Sequence, residues 1–120
     1  MIKNPVGDLH DCVKVLDLEG RVISINDAGC RLLDIDDPKS LIGQSWIELW
    51  AGADLHVAKA AVIRAARGEA VTFEAFGYTM KARGRFWESA VTPIMGPDGK
   101  PQQLRVVSRD ITARRGLTQA

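Results

Sequence analysis

Apolar and polar positions alternate with a short period at both ends of the chain and with a helical period in its middle. CVKVL (12–16) and RVISI (21–25) are β-rich runs, and DLEG between them supplies turn residues, with Gly20 able to take a positive φ. These runs predict a hairpin. AGCRLLDI, after Asn26 and Asp27, is too short for a long helix; Asn or Asp can cap its first turn, with Leu32 and Leu33 facing inward. DDPKSLIGQSWIELWAGAD is broken by Pro38, Gly43 and Gly52 and predicts two single-turn helices, KSLIG and SWIELW. Ser45 can cap the second, with Glu48 three positions on, and Trp46 and Trp50 fall on one face.

Asp54 opens the one clear helix, DLHVAKAAVIRAARG, which has an acidic cap, arginines in its last turns and Gly68 as its stop. Leu55, Ala58, Val62 and Ala65 recur at helical spacing, so that stripe should pack. VTFEAFGYTMKARG, GRFWESAVTPIM and PQQLRVVSRDI are β-rich runs, with Gly84 in the first connection and GPDGK (96–100) as the second turn. Two strands, a helical middle and three hairpin-joined strands imply an α+β domain. Its five-stranded antiparallel sheet carries short helices and one longer helix on one face.

Composition adds bounds. At 120 residues the chain is one domain, with 46% apolar and 26% charged residues and a net charge of +1. Interleaved charges give no basic field for nucleic acid or an anionic membrane. No run reaches the ~20 apolar residues of a membrane span, and MIKNPVGDLHD lacks the apolar core of a secretory signal. A cytoplasmic location follows as the expectation, with Cys12 and Cys30 as reduced, buried thiols. His10, in the lead-in, has no assigned role.

Four features in order resemble the PAS family of sensory domains: D-x-x-G-R-V-I-x-I-N (Asp17 to Asn26), a helical middle ending in Arg67-Gly68, P-I-M-G-P-D-G (Pro93 to Gly99), and R-D-I-T (Arg109 to Thr112). Each is weak alone; the order and spacing make the set specific. The resemblance implies a PAS domain over 11–115, a lead-in at 1–10, and a tail at 116–120 that begins a truncated linker. It also implies that Asp110, Ile111 and Thr112 form the exit from the last strand into a signal-output helix. Asp110 or Thr112 can accept from the freed N–H groups of its first turn. Gly116 is expected to cut that helix short, as in a domain taken from a longer signalling protein or in a free-standing one.

The family's ligands include flavins, haem, a cinnamoyl chromophore, small acids and none. A LOV-type flavin adduct needs a cysteine in the helix before the long one, where this chain has SWIELW; Cys30-Arg-Leu-Leu lies one helix too early. Ser108 stands where such domains carry a flavin-contacting glutamine. Non-covalent FAD stays open. Haem needs an axial histidine, and His56 is on the long helix, but the family's ligand position falls nearer Val57, ~100° around the helix. The cinnamoyl site would need hydrogen-bonding groups where Ile25 and Gly29 stand. A pocket filled by its own side chains, with no ligand, is the leading expectation, and the cofactor is unknown.

By period-2 alternation Leu104, Val106 and Ser108 face the helices, and Arg105, Val107 and Arg109 face away. Leu33, Trp46, Trp50, Val62, Phe73 and Ala90 are the candidate remaining walls of a ligand pocket. Phe76, Tyr78, Trp87 and Val107 are candidates for the opposite face, where an apolar patch would serve a homodimer, unless Ile2, Val6 and Leu9 of the lead-in cover it. By resemblance, the function is a sensory module of a bacterial two-component or related signalling protein. It would sense a small molecule or partner and relay this to an output domain in the same protein, such as a histidine kinase or a diguanylate cyclase. A ligand-free dimerisation or interaction module is the alternative. A small α+β enzyme is the remote one, because Asp17, Glu48, Asp54, Glu74, Glu88 and His56 show no convergent pair. Non-enzymatic function is therefore expected.

Overall fold

The computed structural model describes residues 10–52 and 54–119. Its strands are β1 (Cys12–Leu16), β2 (Val22–Ile25), β3 (Val71–Tyr78), β4 (Gly84–Met95) and β5 (Pro101–Asp110). Between β2 and β3 lie α1 (Asp27–Leu32), 3-10 turns at Pro38–Ser40 and Glu48–Trp50, and α2 (Leu55–Ala66); α3 (Thr112–Gln119) follows β5. The five strands form one antiparallel sheet in the order β2-β1-β5-β4-β3. The first and last strands of the chain's β-rich ends therefore meet at its centre.

Local chemistry fixes the elements. Gly20 takes φ +91° in the first hairpin, where Gly20 N donates to Asp17 O and the Asp17 carboxylate accepts from Glu19 N and Arg21 N. Asn26 caps α1 by accepting from Gly29 N at 2.8 Å. The same amide oxygen accepts from Val13 N, and its Nδ2 donates to Asp11 O, so one side chain ties α1 to the start of β1. Glu48 N donates to Ser45 Oγ at 3.3 Å, as the spacing predicts. Asp54 departs from its expected role. It holds the N-cap position of α2, its carbonyl accepting from Val57 N and Ala58 N, but its side chain does not cap the helix; Oδ2 accepts instead from Phe76 N on the edge strand β3, which blunts an open ladder.

Ala58, Ala61, Val62 and Ala65 are the buried stripe of α2, and their small side chains bring the helix close to the sheet. Leu16, Val22, Leu41, Trp46, Val91, Leu104 and Val106 complete a contiguous core between the sheet and the helical middle. The exit helix corrects one expectation. Gly116 does not stop it; α3 runs to Gln119. Nor does α3 join the other helices. It leans on the sheet's outer face, with the Arg115 guanidinium 4.8 Å from the Phe86 ring centroid and Arg114 and Arg115 reaching Glu74.

Candidate functional site

The inner sheet face and the second 3-10 turn line a half-open chamber of about 30 Å³. Lys14 and Ser108 form its polar side; Leu33, Trp46, Leu49, Trp50, Gly77 and Trp87 form its apolar side, with Tyr78 also lining it. The three indoles in this small chamber come from the turn before the second 3-10 turn (Trp46), that 3-10 turn itself (Trp50) and β4 (Trp87). Trp46 and Trp50 meet edge to face at 5.8 Å, and Phe73 backs both at 6.2 and 5.7 Å. Gly77 is where Trp50 leans on β3: a Cβ there would lie 2.9 Å from Trp50 Cζ3.

Of the expected walls, Leu33, Trp46, Trp50 and Ser108 line the chamber. Val62 and Val106 are core residues beneath it, and Phe73 stands behind the indoles. Ala90 is corrected: it pairs with Val107 on the outer face. Trp87 is corrected in the opposite sense, from outer face to chamber wall, and is only 4% exposed. In β4 the buried parity is Trp87, Ser89 and Val91. Glu88 and Thr92, flanking Ala90 on the other parity, were the available signal for that register. Phe76, Tyr78 and Val107 do occupy the outer face. There Phe76 stacks edge to face with Tyr78 and Phe86, at 5.2 and 5.1 Å. Ile2, Val6 and Leu9 lie outside the described residues.

Lys14 was not a sequence candidate. It is 3% exposed on the inner face of β1, opposite Val106, and donates from Nζ to Cys12 Sγ at 3.1 Å. Ser108 pairs its hydroxyl with that of Ser89 at 2.8 Å. Cys30 is half-buried on α1; burial pushes its thiol above the ordinary value, and the Asp27 carboxylate adds to that. At the end of α1, Asp34 takes φ 60° and approaches Arg83 at 3.5 Å, while Met80 N donates to Leu33 O. The Thr79 hydroxyl is the chief cause holding the Asp34 carboxyl below its usual range; burial opposes it and Arg83 adds.

The exit is built as tightly as the chamber. Asp110 Oδ1 accepts from Thr112 N at 2.9 Å, capping α3, and its Oδ2 lies 3.5 Å from Arg85 Nε. Thr112 Oγ1 accepts from Phe86 N and Ile111 N donates to Phe86 O, so both join the exit to β4. Arg109 grips Asp11 through two nitrogens, at 2.8 and 3.2 Å, and approaches Glu88.

Large cofactors do not fit this arrangement. The chamber has about a fifth of the volume of an engineered cavity of about 150 Å³ that binds benzene, so the space beside these indoles is smaller than a flavin ring or a haem. His56 is exposed on α2 and borders a surface groove with Val57, Arg64 and Thr72, outside the chamber. Neither Cys12 nor Cys30 lines the chamber. Among the described residues, no three His, Cys, Asp or Glu side chains gather to hold a metal, and no helix is long and apolar enough to cross a membrane.

A family model described as the PAS fold matches residues 6–116. No curated protein matches the chain. Among solved structures, the PAS domain of a protein from Colwellia psychrerythraea is 27% identical with a TM-score of 0.78, over 88% of this chain and 90% of that one. A domain of a sensory box sensor histidine kinase/response regulator from Geobacter sulfurreducens is 23% identical, TM-score 0.71, over 88% and 87%. An RNA-binding Light-Oxygen-Voltage receptor is 21% identical with a TM-score of 0.79; the alignment covers 92% of this chain but only about a third, 32%, of the receptor.

Proposed function

The chain belongs to the PAS-fold family, and from that premise we infer that it is the sensory module of a signalling protein, relaying the state of its chamber through α3 to an output domain such as a histidine kinase or a diguanylate cyclase. One observation carries this reading. Trp87 lines the chamber and pairs with Asp110, the cap of α3, while its neighbour Phe86 holds Thr112 and Ile111. A shift of β4 at the chamber therefore moves the groups that set where α3 starts. A packing change becomes a change in helix angle, a two-state element that a ligand or partner can bias.

The test is a chimera in which the chain precedes the output region of a histidine kinase. Thr112→Val and Asp110→Asn are expected to change autophosphorylation at least ~5-fold, the lower end of a 1–3 kcal/mol coupling, while the chain itself stays folded with a melting temperature only a few degrees lower. Unaltered kinase activity in both variants would remove the relay. The small chamber supports a second reading, a ligand-free interaction module acting as a homodimer through the outer face. That reading expects the same effect of Thr112→Val with no small molecule involved.

A further inference from the structure

A row of charged residues crosses the outer face of the sheet. Arg109 on β5 stands opposite Glu88 on β4, and Glu88 stands opposite Glu74 on β3. Asp11 meets Arg109 at one end of the row, and Arg114 and Arg115 of α3 meet Glu74 at the other. Three carboxylates and three guanidinium groups thus join the start of β1 to the exit helix, but the signs do not alternate. Glu74 and Glu88 lie directly across from each other, and a like-charge pair so placed is destabilising unless cations offset it. Two sets of cations compete for that place: Arg109, 3.8 Å from Glu88, and the arginines of α3, 3.3 and 3.7 Å from Glu74.

Asp11 decides how far Arg109 takes part. The Asp11 carboxylate is buried and takes two guanidinium nitrogens, at 2.8 and 3.2 Å, against the single 3.8 Å approach to Glu88. The shorter, two-point grip is the stronger one. We propose that Asp11 sets the hold of the sheet on α3 by keeping Arg109 from neutralising the Glu88–Glu74 pair, so that α3 responds to the start of β1 as well as to the chamber. Asp11, Arg109 and Glu88 are then positioning residues for the exit helix. The α3 contacts suit such control. Arg114, Arg115 and Glu74 have side chains 62%, 44% and 41% exposed, and ion pairs of that exposure are individually weak, so a small change of potential shifts the helix between held and free. A direct effect of Asp11 on Glu74 is excluded by distance. Three strand spacings, roughly 14 Å, separate them, and exposed charges are screened beyond about 8 Å at physiological salt. The proposal rests on reading α3 as the output element and names what regulates it.

The test is amide hydrogen exchange of the 120-residue chain by NMR, with the α3 amides reporting local opening and the β5 amides reporting global stability in the same sample. Glu74→Gln should lower the protection of α3 about 2- to 5-fold, the range of an exposed ion pair. Glu88→Gln should lower it in the same sense. Asp11→Asn should lower it too, because the released Arg109 turns to Glu88, and should add nothing once Glu88 is replaced by Gln. Arg109→Gln should raise the protection of α3, although that variant strands a buried carboxylate and melts below the wild type. A purely structural ion pair predicts otherwise: Asp11→Asn and Arg109→Gln would both lower the melting temperature and the β5 protection and leave α3 unchanged. That result would overturn the proposal, as would a fall of α3 protection in Arg109→Gln, or a loss from Asp11→Asn that is equal with and without Glu88. Exchange is read without any output domain, so unchanged α3 protection leaves the route from Trp87 to Asp110 standing, and an inert Thr112→Val chimera leaves the charge row standing.

Discussion

Gly77 and Trp50 show how one atom sets the chamber's size. The indole of Trp50 lies against the bare Cα of Gly77 on the inner face of β3, and a methyl there would sit 2.9 Å from Cζ3 and 3.1 Å from Cε3. An indole cannot yield by rotating a flexible end, so Gly77→Ala should push the ring into the chamber. Overpacking of this kind costs about 1–3 kcal/mol. A lowered melting temperature and shifted tryptophan emission are expected; wild-type values for both would mean that β3 gives way instead. Lys14 makes the complementary point. In CVKVL the two valines share one parity, and Cys12, Lys14 and Leu16 on the other are the ones that face the core. Their cross-strand partners on β5 are Ser108, Val106 and Leu104. A lone lysine between valines reads as solvent-facing, and only pairing with a central strand turns it inward.

Asp34 operates between elements. It joins the end of α1 to the β3–β4 turn through Arg83, beside the Leu33 O–Met80 N bond, and Leu33 lines the chamber. Its carboxyl is held below the ordinary range. A depressed carboxyl contributes stability that is complete above its unfolded value, about pH 4, and is lost as pH falls through the lower folded value. Asparagine tolerates the same positive φ, so Asp34→Asn isolates the charge. In urea unfolding the wild type should exceed Asp34→Asn at pH 6 and lose that margin as pH is lowered from about 5 towards 2; a constant margin would refute the link. The exit helix is held at the same scale by shared groups. Asp110 caps it, Phe86 accepts and donates for it, and Glu74 holds its arginines.

At the scale of the whole molecule the outer face is unlike the inner one. Phe76, Phe86 and Tyr78 form an aromatic cluster with Tyr78 49% exposed, and Val107 lies on the same face. The interaction-module reading makes this a homodimer surface. Sedimentation equilibrium is expected to show a dimer, and Tyr78→Arg should yield a monomer with unchanged melting temperature. A wild-type monomer at millimolar concentration would refute it. Because α3 rests on Phe86 through Arg115, subunit contact and exit helix would share one surface.

The sequence by itself determined the order of elements, the Gly20 hairpin, the Asn26 cap, the α2 stripe and the strand-to-helix exit at Asp110. These depend on neighbours within a few positions, where turn chemistry and helical spacing act directly. Only the tertiary structure decided which parity of β1 and β4 faces the helices, and hence that Lys14 and Trp87 line the chamber while Ala90 does not. It also decided that the Asp54 side chain bonds a strand rather than capping its own helix, and that α3 passes through Gly116 along the outer face. The physical reason is the two-residue period of a strand. Both faces of such a strand read alike when each carries apolar and polar groups, and the choice is made by partners far away in sequence.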